Sequence, residues 1–281
     1  MTSDKRKMPY NSGFKKLAIQ RLNEVLRLIS SSVQVDSFVL RNPPERKARK
    51  RCMPLKKQDM NKETVLIVGS SGHAKVIIDI FEKEGKYEIL GLLDAYRNIG
   101  EETLGYMVVG KEENLPDLLL KNPNCKLFVA IGDNWIRQKV VNKIIDIVPN
   151  VDFASAIHPS AQIGKNVRIG KGVAIMAGAV INSDTIIEDF TIINTKASID
   201  HDSKMLKFSS LAPNVTVGGN VSIGEFSAIS IGATIKHGVS IGNHTVIGAG
   251  ALLMKSCGDN LVMYGVPAKE IRKREIGEKY L

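Results

Sequence analysis

SIGEFSAISIGATIKHGVSIGNHTVIG, residues 222–248, places Ile223, Ile229, Ile235, Ile241 and Ile247 six residues apart. The register extends in both directions without an insertion, from Ile157 to Leu253. Of its seventeen positions thirteen are isoleucine, and the others are Met205, Leu211, Val217 and Leu253. The fourth residue after each is often small or β-branched, as in Val167, Val173, Ala179, Val215, Val221, Ala233 and Val239, and glycine often follows the aliphatic residue. A six-residue period fits no helix. It suits a short strand and a tight turn, repeated to form the flat faces of a parallel β-helix. The aliphatic side chains then point into the prism and stack on their equivalents one coil away. With three hexapeptides to a triangular coil, this stretch makes roughly five coils.

Upstream the texture changes. Val65 to Val68 is a buried-strand run, followed by Gly69-Ser70-Ser71-Gly72-His73 and a helical pattern through Val76, Ile77, Ile80 and Phe81. A second strand, Ile89 to Leu93, ends at Asp94. A third, Leu127 to Ile131, ends at Gly132-Asp133-Asn134 before a helix from Trp135 to Val148. Alternating strands and helices imply a small Rossmann-like parallel α/β domain. Its polar and glycine-rich residues fall at the carboxyl ends of the strands, where open parallel sheets bind ligands. The loop from Gly69 to His73 has the form of a phosphate-binding turn before a helix N-terminus. Ser71 replaces the second glycine of GxGxxG, which argues against a dinucleotide.

The formal net charge of +10 is not spread over the chain. Residues 1–63 hold 16 Lys and Arg against 6 Asp and Glu, which accounts for the entire excess. A basic appendage on a neutral body argues against nucleic acid as the partner. Within it, Phe14, Ala18, Leu22, Val25 and Ile29 recur at helical spacing beside basic residues. That pattern fits an ordinary packing helix or one that touches an anionic membrane surface. Arg41 to Lys57, with Pro43, Pro44 and Pro54, reads as a disordered linker. Cys52, Cys125 and Cys257 lie far apart, define neither a disulfide framework nor a metal site, and fit the cytoplasm. The expected organisation is a basic extension over 1–63, an α/β domain over 64–152, the β-helix over 153–270 and a tail over 271–281.

Among the five histidines, His201 stands between Asp200 and Asp202. An imidazole is the side chain best poised to take a proton near neutral pH, and an adjacent carboxylate orients it and raises its basicity. An exposed histidine on a turn is ordinarily a surface residue, and His158, His237 and His244 are read that way.

The hexapeptide region resembles the hexapeptide-repeat acyltransferases, and the chain from 64 to about 271 is similar to the NeuD/PglD-type sugar acetyltransferases. The markers are Gly69-Ser70-Ser71-Gly72-His73-Ala74-Lys75, Leu92-Leu93-Asp94, Val129 to Asn134 with Arg137, Ile157-His158-Pro159, Asn194-Thr195, Asp200-His201-Asp202 and Gly265 to Lys269. The resemblance implies a left-handed β-helix, a homotrimer and acetyl-CoA as co-substrate. It implies His201 as general base with Asp202 as its orienting acid, and the Gly219 N–H as the donor to the thioester carbonyl. Ser210, Ile231, Ala249 and Lys269 fall where acetyl-CoA is held. Ser71, Gly72, His73, Asp94, Gly132 and Asp133 fall where the nucleotide sugar is bound, and no metal is implied. Two positions depart from the pattern: Ser210 stands where relatives commonly have a second histidine, and Asp94-Ala95 where many have Asp-Asp. The implied reaction is N-acetylation of a nucleotide-linked amino sugar, foremost a UDP-4-amino-4,6-dideoxy sugar. O-acetylation of a sialic-acid-type hydroxyl and a non-catalytic assembly role are the alternatives.

Overall fold

The computed structural model describes residues 62–280; the helical pattern of Phe14–Val33 and the linker of 41–57 lie outside the described residues. The first strand, β1 (Glu63–Val68), is the apolar run read from the sequence, and its last four residues are buried. It pairs in parallel with β2 (Tyr87–Leu93) on one side and β5 (Lys126–Val129) on the other. Helix α1 (Gly72–Glu84) buries Ala74, Ile77, Ile78, Ile80 and Phe81 and stops at Gly85, whose left-handed backbone (φ 70°) returns its N–H to the Phe81 carbonyl. Helix α3 (Asn134–Ile147) begins one residue earlier than the sequence pattern predicts, because the Asp133 carboxylate caps the Ile136 N–H at 2.9 Å.

The sheet has five strands in the order β3-β4-β2-β1-β5, not three. The two that the hydrophobic runs did not disclose are β3 (Glu102–Thr103) and β4 (Tyr106–Gly110), an antiparallel hairpin turned by Leu104 and Gly105, both at positive φ. The two residues of β3 have no period to detect, and β4, Tyr-Met-Val-Val-Gly, does not alternate. The seven-residue helix α2 (Leu115–Lys121), with proline in its first turn, was equally hidden.

From Ala156 the chain winds into seventeen two-residue strands, β6 (Ala156–Ile157) to β22 (Leu252–Leu253). Each pairs in parallel with the strand eighteen residues away, as Ile193 with Ile175 and Leu211. Three flat sheets result, and the prism is a left-handed parallel β-helix. Two strands, β23 (Leu261–Gly265) and β24 (Ala268–Lys273), close its lower end as an antiparallel hairpin. The period-six residues are buried from Ile175 onward. Before it, Ile157 and Ile169 are half-buried and Ile163 is 41% exposed, because the first coil has no layer beyond it.

The positions four residues on are also interior, including the hydroxyl residues Thr185, Thr191, Ser203, Ser209, Ser227 and Thr245. Their hydroxyls satisfy backbone groups at the corners. Ser227 Oγ, for example, donates to the Gly242 carbonyl at 2.6 Å and accepts from the Thr245 N–H at 2.9 Å.

The corner residues Phe190, Phe208, Phe226 and His244 form a column, each one coil from the next and each in the left-handed region. Their rings stack at 5.1, 5.4 and 4.6 Å, and the Trp135 indole meets Phe226 and His244 edge-on. Left-handed backbone costs a residue with a Cβ roughly 1–2 kcal/mol. Aromatic pairing returns roughly 0.5–1.5 kcal/mol per contact beyond burial, so the strain is offset where the column packs under the α/β unit. On the adjoining prism face, Ala174, Met176 and Ile192 pack in one cluster with Ile77 and Ile78 of α1.

Candidate active site

His201 lies on a prism corner, in the turn between Ser198–Ile199 and Lys204–Met205. Its Nδ1 is 2.7 Å from Asp202 Oδ2, and its backbone N–H donates to Asp200 Oδ1 at 2.8 Å. That same oxygen accepts from Asn182 Nδ2, one coil away, at 2.7 Å. The hydrogen bond to Asp202, and then the charge of Asp200, hold the His201 pKa above its ordinary value. With Nδ1–H committed to the carboxylate, Nε2 carries the free lone pair in the neutral ring.

Gly219, eighteen residues on, lies beneath that ring: a Cβ there would stand 2.8 Å from Nε2 and 2.9 Å from Cε1. Its backbone does not require glycine, so the constraint is the close approach. Gly219→Ala is therefore expected to leave the fold intact by circular dichroism while displacing the imidazole. Turnover should fall about 10- to 100-fold, the scale of a small misplacement of a reacting group. Wild-type turnover in that variant would dissociate the glycine from the site.

Around the prism, against the α/β unit, a cavity of about 630 Å³ opens. Its prism wall includes three columns of residues eighteen apart: Ile192, Ser210 and Ala228; Asn194, Ala212 and Ser230; Pro213, Ile231 and Ala249. His73 and Gly132 reach it from the α/β loops, and Tyr264 and Tyr280 from the C-terminal part. The structure thus brings Ser210, Ile231 and Ala249 together with His73 and Gly132. Lys269 is exposed in β24, across the hairpin from Tyr264, outside that lining. His201, Asp202 and Gly219 are not part of the lining either.

His73 Nε2 is enclosed with no hydrogen-bond partner. Burial, and then the Arg137 charge, push the His73 pKa down to about 4. The ring is therefore neutral. The depressed value has a measurable consequence. The unfolded chain takes this proton near pH 6.5 and the folded one only near 4. The stability difference is therefore absent above about 6.5 and grows as pH falls toward about 4, reaching up to about 3 kcal/mol. Denaturant titrations at several pH values should show wild type losing that stability relative to His73→Phe; parallel pH profiles would contradict it.

The remaining loop residues lie at the carboxyl edge of the sheet. Ser71 precedes α1 with its side chain uncommitted to the cap, and the space a Gly72 Cβ would fill is open. Asp94 is engaged within its own loop. Oδ2 accepts from Ser70 Oγ at 2.5 Å, and Oδ1 from the Tyr96 and Arg97 N–H groups at 2.9 and 3.2 Å. Burial alone would raise its pKa, but these bonds outweigh it and hold the carboxyl below the usual range. Asp133 serves as the α3 cap.

Two side chains of the Val129–Arg137 segment do structural work that the sequence did not disclose. Arg137 is buried, and all five of its N–H groups have neutral acceptors: the carbonyls of Phe190 (2.9 Å), Ile131 (2.9 Å), Gly132 (3.0 Å) and Phe208 (3.1 Å), and Asn134 Oδ1 (2.8 Å). Burial lowers its pKa to about 10, which still leaves it charged near neutrality. Asn134 Nδ2 in turn reaches Ser210 Oγ at 3.1 Å and the Phe226 and Ser227 carbonyls at 3.3 Å. Together they clamp the strained aromatic corners to the α/β unit. The eighteen-residue spacing of Phe190, Phe208 and Phe226 was the available signal. Tyr280, beyond the repeats, had none. Among the described residues no group of three or more His, Cys, Asp and Glu side chains is placed to hold a metal ion.

The chain thus joins a histidine–carboxylate pair at one corner of a left-handed β-helix to a cavity, at another corner, that an α/β unit caps. The PglD N-terminal domain family matches residues 64–144. A histidine-to-asparagine variant of perosamine N-acetyltransferase from Caulobacter crescentus, solved with CoA and GDP-perosamine, is 40% identical; the alignment covers 75% of this chain and 97% of that one, with a TM-score of 0.70. The acetyltransferase domain of PglB from Neisseria gonorrhoeae, solved with acetyl coenzyme A, is 30% identical over 75% of this chain and 100% of that one, with a TM-score of 0.67. WeeI from Acinetobacter baumannii shares the fold at 22% identity, over 74% and 99% of the two chains, with a TM-score of 0.66. The chain belongs to the NeuD/PglD-type sugar acetyltransferase family and is an acetyl-CoA-dependent enzyme.

Proposed function

We propose that the chain acts in the cytoplasm and moves the acetyl group of acetyl-CoA to the amine of a nucleotide-linked amino sugar, with His201 as general base. The observation that carries this is the 2.7 Å bond from His201 Nδ1 to Asp202, which leaves Nε2 free above Gly219. As the sugar nitrogen attacks the thioester carbon, Nε2 takes the proton the amine sheds. The tetrahedral centre then collapses, the C–S bond breaks, and CoA leaves as a thiolate that the imidazolium can protonate. The Gly219 N–H is the assigned donor to the carbonyl oxygen in that step.

Ser210, Ile231 and Ala249 are assigned to the pantetheine arm, in keeping with the apolar columns beside a few polar atoms that line the cavity. Lys269, exposed, is assigned to a CoA phosphate. His73 and Gly132 are assigned to the sugar. Ser71, Gly72, Asp94 and Asp133 at the loop edge are assigned to the nucleotide, whose phosphates suit the open N-terminus of α1.

Because the His201 corner and the cavity belong to different corners of one prism, the reading requires a trimer in which one subunit's base faces its neighbour's cavity. A thiol-release assay with acetyl-CoA against GDP-perosamine, UDP-4-amino-4,6-dideoxy sugars and CMP-sialic acid separates amine from hydroxyl acceptors. Turnover confined to an amino sugar is expected; release only with the hydroxyl sugar, or with none, overturns the reading. Sedimentation in the same buffer should give a trimer, and a fully active monomer would remove the shared-site arrangement.

A further inference from the structure

The C-terminal segment beyond the repeats is folded with more hydrogen bonding than a tail needs. Arg272 forms two bonds with the Glu278 carboxylate, at 2.6 and 3.1 Å, and that carboxylate also accepts the Glu275 N–H at 3.1 Å. The Glu278 N–H closes a turn onto the Glu275 carbonyl at 3.2 Å. Arg274 donates to the Glu278 carbonyl and sets its guanidinium 5.8 Å from the Tyr280 ring centre. Gly277, at φ 79°, lets the chain lie flat on the indole of Trp135: a Cβ there would come within 2.5 Å of Trp135 Nε1. The product of these contacts is the placement of one phenol. Tyr280 lines the 630 Å³ cavity, with its Oη against the backbone of Gly132 and Asn134.

Its hydrogen bonds leave the phenol proton underused. The oxygen accepts the Asn134 N–H at 3.1 Å and has the Ser210 hydroxyl beside it, whereas among the described residues the one carbonyl it approaches as donor, that of Gly132, is 3.4 Å away. Burial pushes the phenol's pKa up, against the opposing charge of Arg137, so the proton stays on. A weakly held donor facing an apolar cavity is suited to a ligand carbonyl.

We propose that Tyr280 is a ligand-positioning residue, delivered by the strap of residues 272–280, whose hydroxyl donates a hydrogen bond to a carbonyl of the acyl-CoA arm. This rests on the reading of the cavity as the acetyl-CoA site. Trp135, the chain's single tryptophan, reports on the seated strap. Acetyl-CoA would be titrated into wild type, Tyr280→Phe and Tyr280→Ala, following Trp135 emission and calorimetric heat. Tyr280→Phe keeps the ring and should weaken acetyl-CoA binding about 3- to 12-fold, the worth of one hydrogen bond. The KM for acetyl-CoA should rise in step, with the sugar KM unchanged. Tyr280→Ala should weaken binding further and alter the emission of the free protein. Wild-type affinity in Tyr280→Phe, with only a lowered melting temperature, would make the tyrosine a helix cap and overturn the proposal. No acetyl-CoA binding by the wild type itself would instead remove the cavity reading on which it stands.

Discussion

His201→Ala is expected to lower turnover by about 10²- to 10⁴-fold, the usual contribution of a general base, with little change in acetyl-CoA affinity. The loss is in the chemical step because the imidazole takes the proton of the attacking amine rather than holding the acetyl-CoA arm. Asp202→Asn should cost less, since the ring remains but loses its orienting carboxylate. The pH profile separates the two roles. The base works as neutral imidazole, so activity falls as pH drops through the His201 pKa, which the Asp202 bond and the Asp200 charge hold above the ordinary value. Removing the Asp202 charge lowers that pKa, so the acid limb should move to lower pH in Asp202→Asn. Near-wild-type turnover in His201→Ala, measured with an accepted sugar, would remove the proposed base while leaving the prism untouched.

Replacing Arg137 by methionine should destabilise the folded protein by about 3–5 kcal/mol, the range for breaking a buried hydrogen-bonded charge network. Methionine fills part of the volume but gives nothing to the carbonyls of Phe190, Phe208, Ile131 and Gly132. Phe190 and Phe208 are buried, so their carbonyls lose a partner without gaining water. Lysine should also fail, because an ammonium cannot reproduce a planar fork that reaches four backbone oxygens and an amide. Urea denaturation measures the effect, and a change under about 1 kcal/mol would mean that apolar packing alone fastens the two parts.

The prism was legible because its signal is redundant: seventeen inward positions repeat one chemical choice. The central strands of the sheet were legible for a related reason, since Val65–Val68 has no polar residue to interrupt it. The β3–β4 hairpin was not, because β3 has only two residues and Tyr106–Gly110 shows no alternation of apolar and polar residues. At the candidate site the pairing of His201 with Asp202 could be read from adjacency. The separation of that pair from Ser210, Ile231 and Ala249 could not, since it depends on which corner of the triangle each turn occupies. Asn134 and Arg137 were visible as a motif but not as a clamp. A guanidinium bonded only to neutral carbonyls has no charge partner in the sequence to give it away.

The eighteen-residue coil also acts as a gear with three teeth. Gly219 lies under His201, and Ile231 and Ala249 continue the column of Pro213, because each spacing is one full revolution. Inserting or deleting six residues between His201 and Gly219 would keep every isoleucine inside, yet turn all later positions by a third of a revolution. The core would tolerate the change and the enzyme would not, since a base and its glycine would then occupy different edges. Length changes compatible with catalysis are therefore quantised in whole coils, a stricter rule than the hydrophobic repeat imposes by itself.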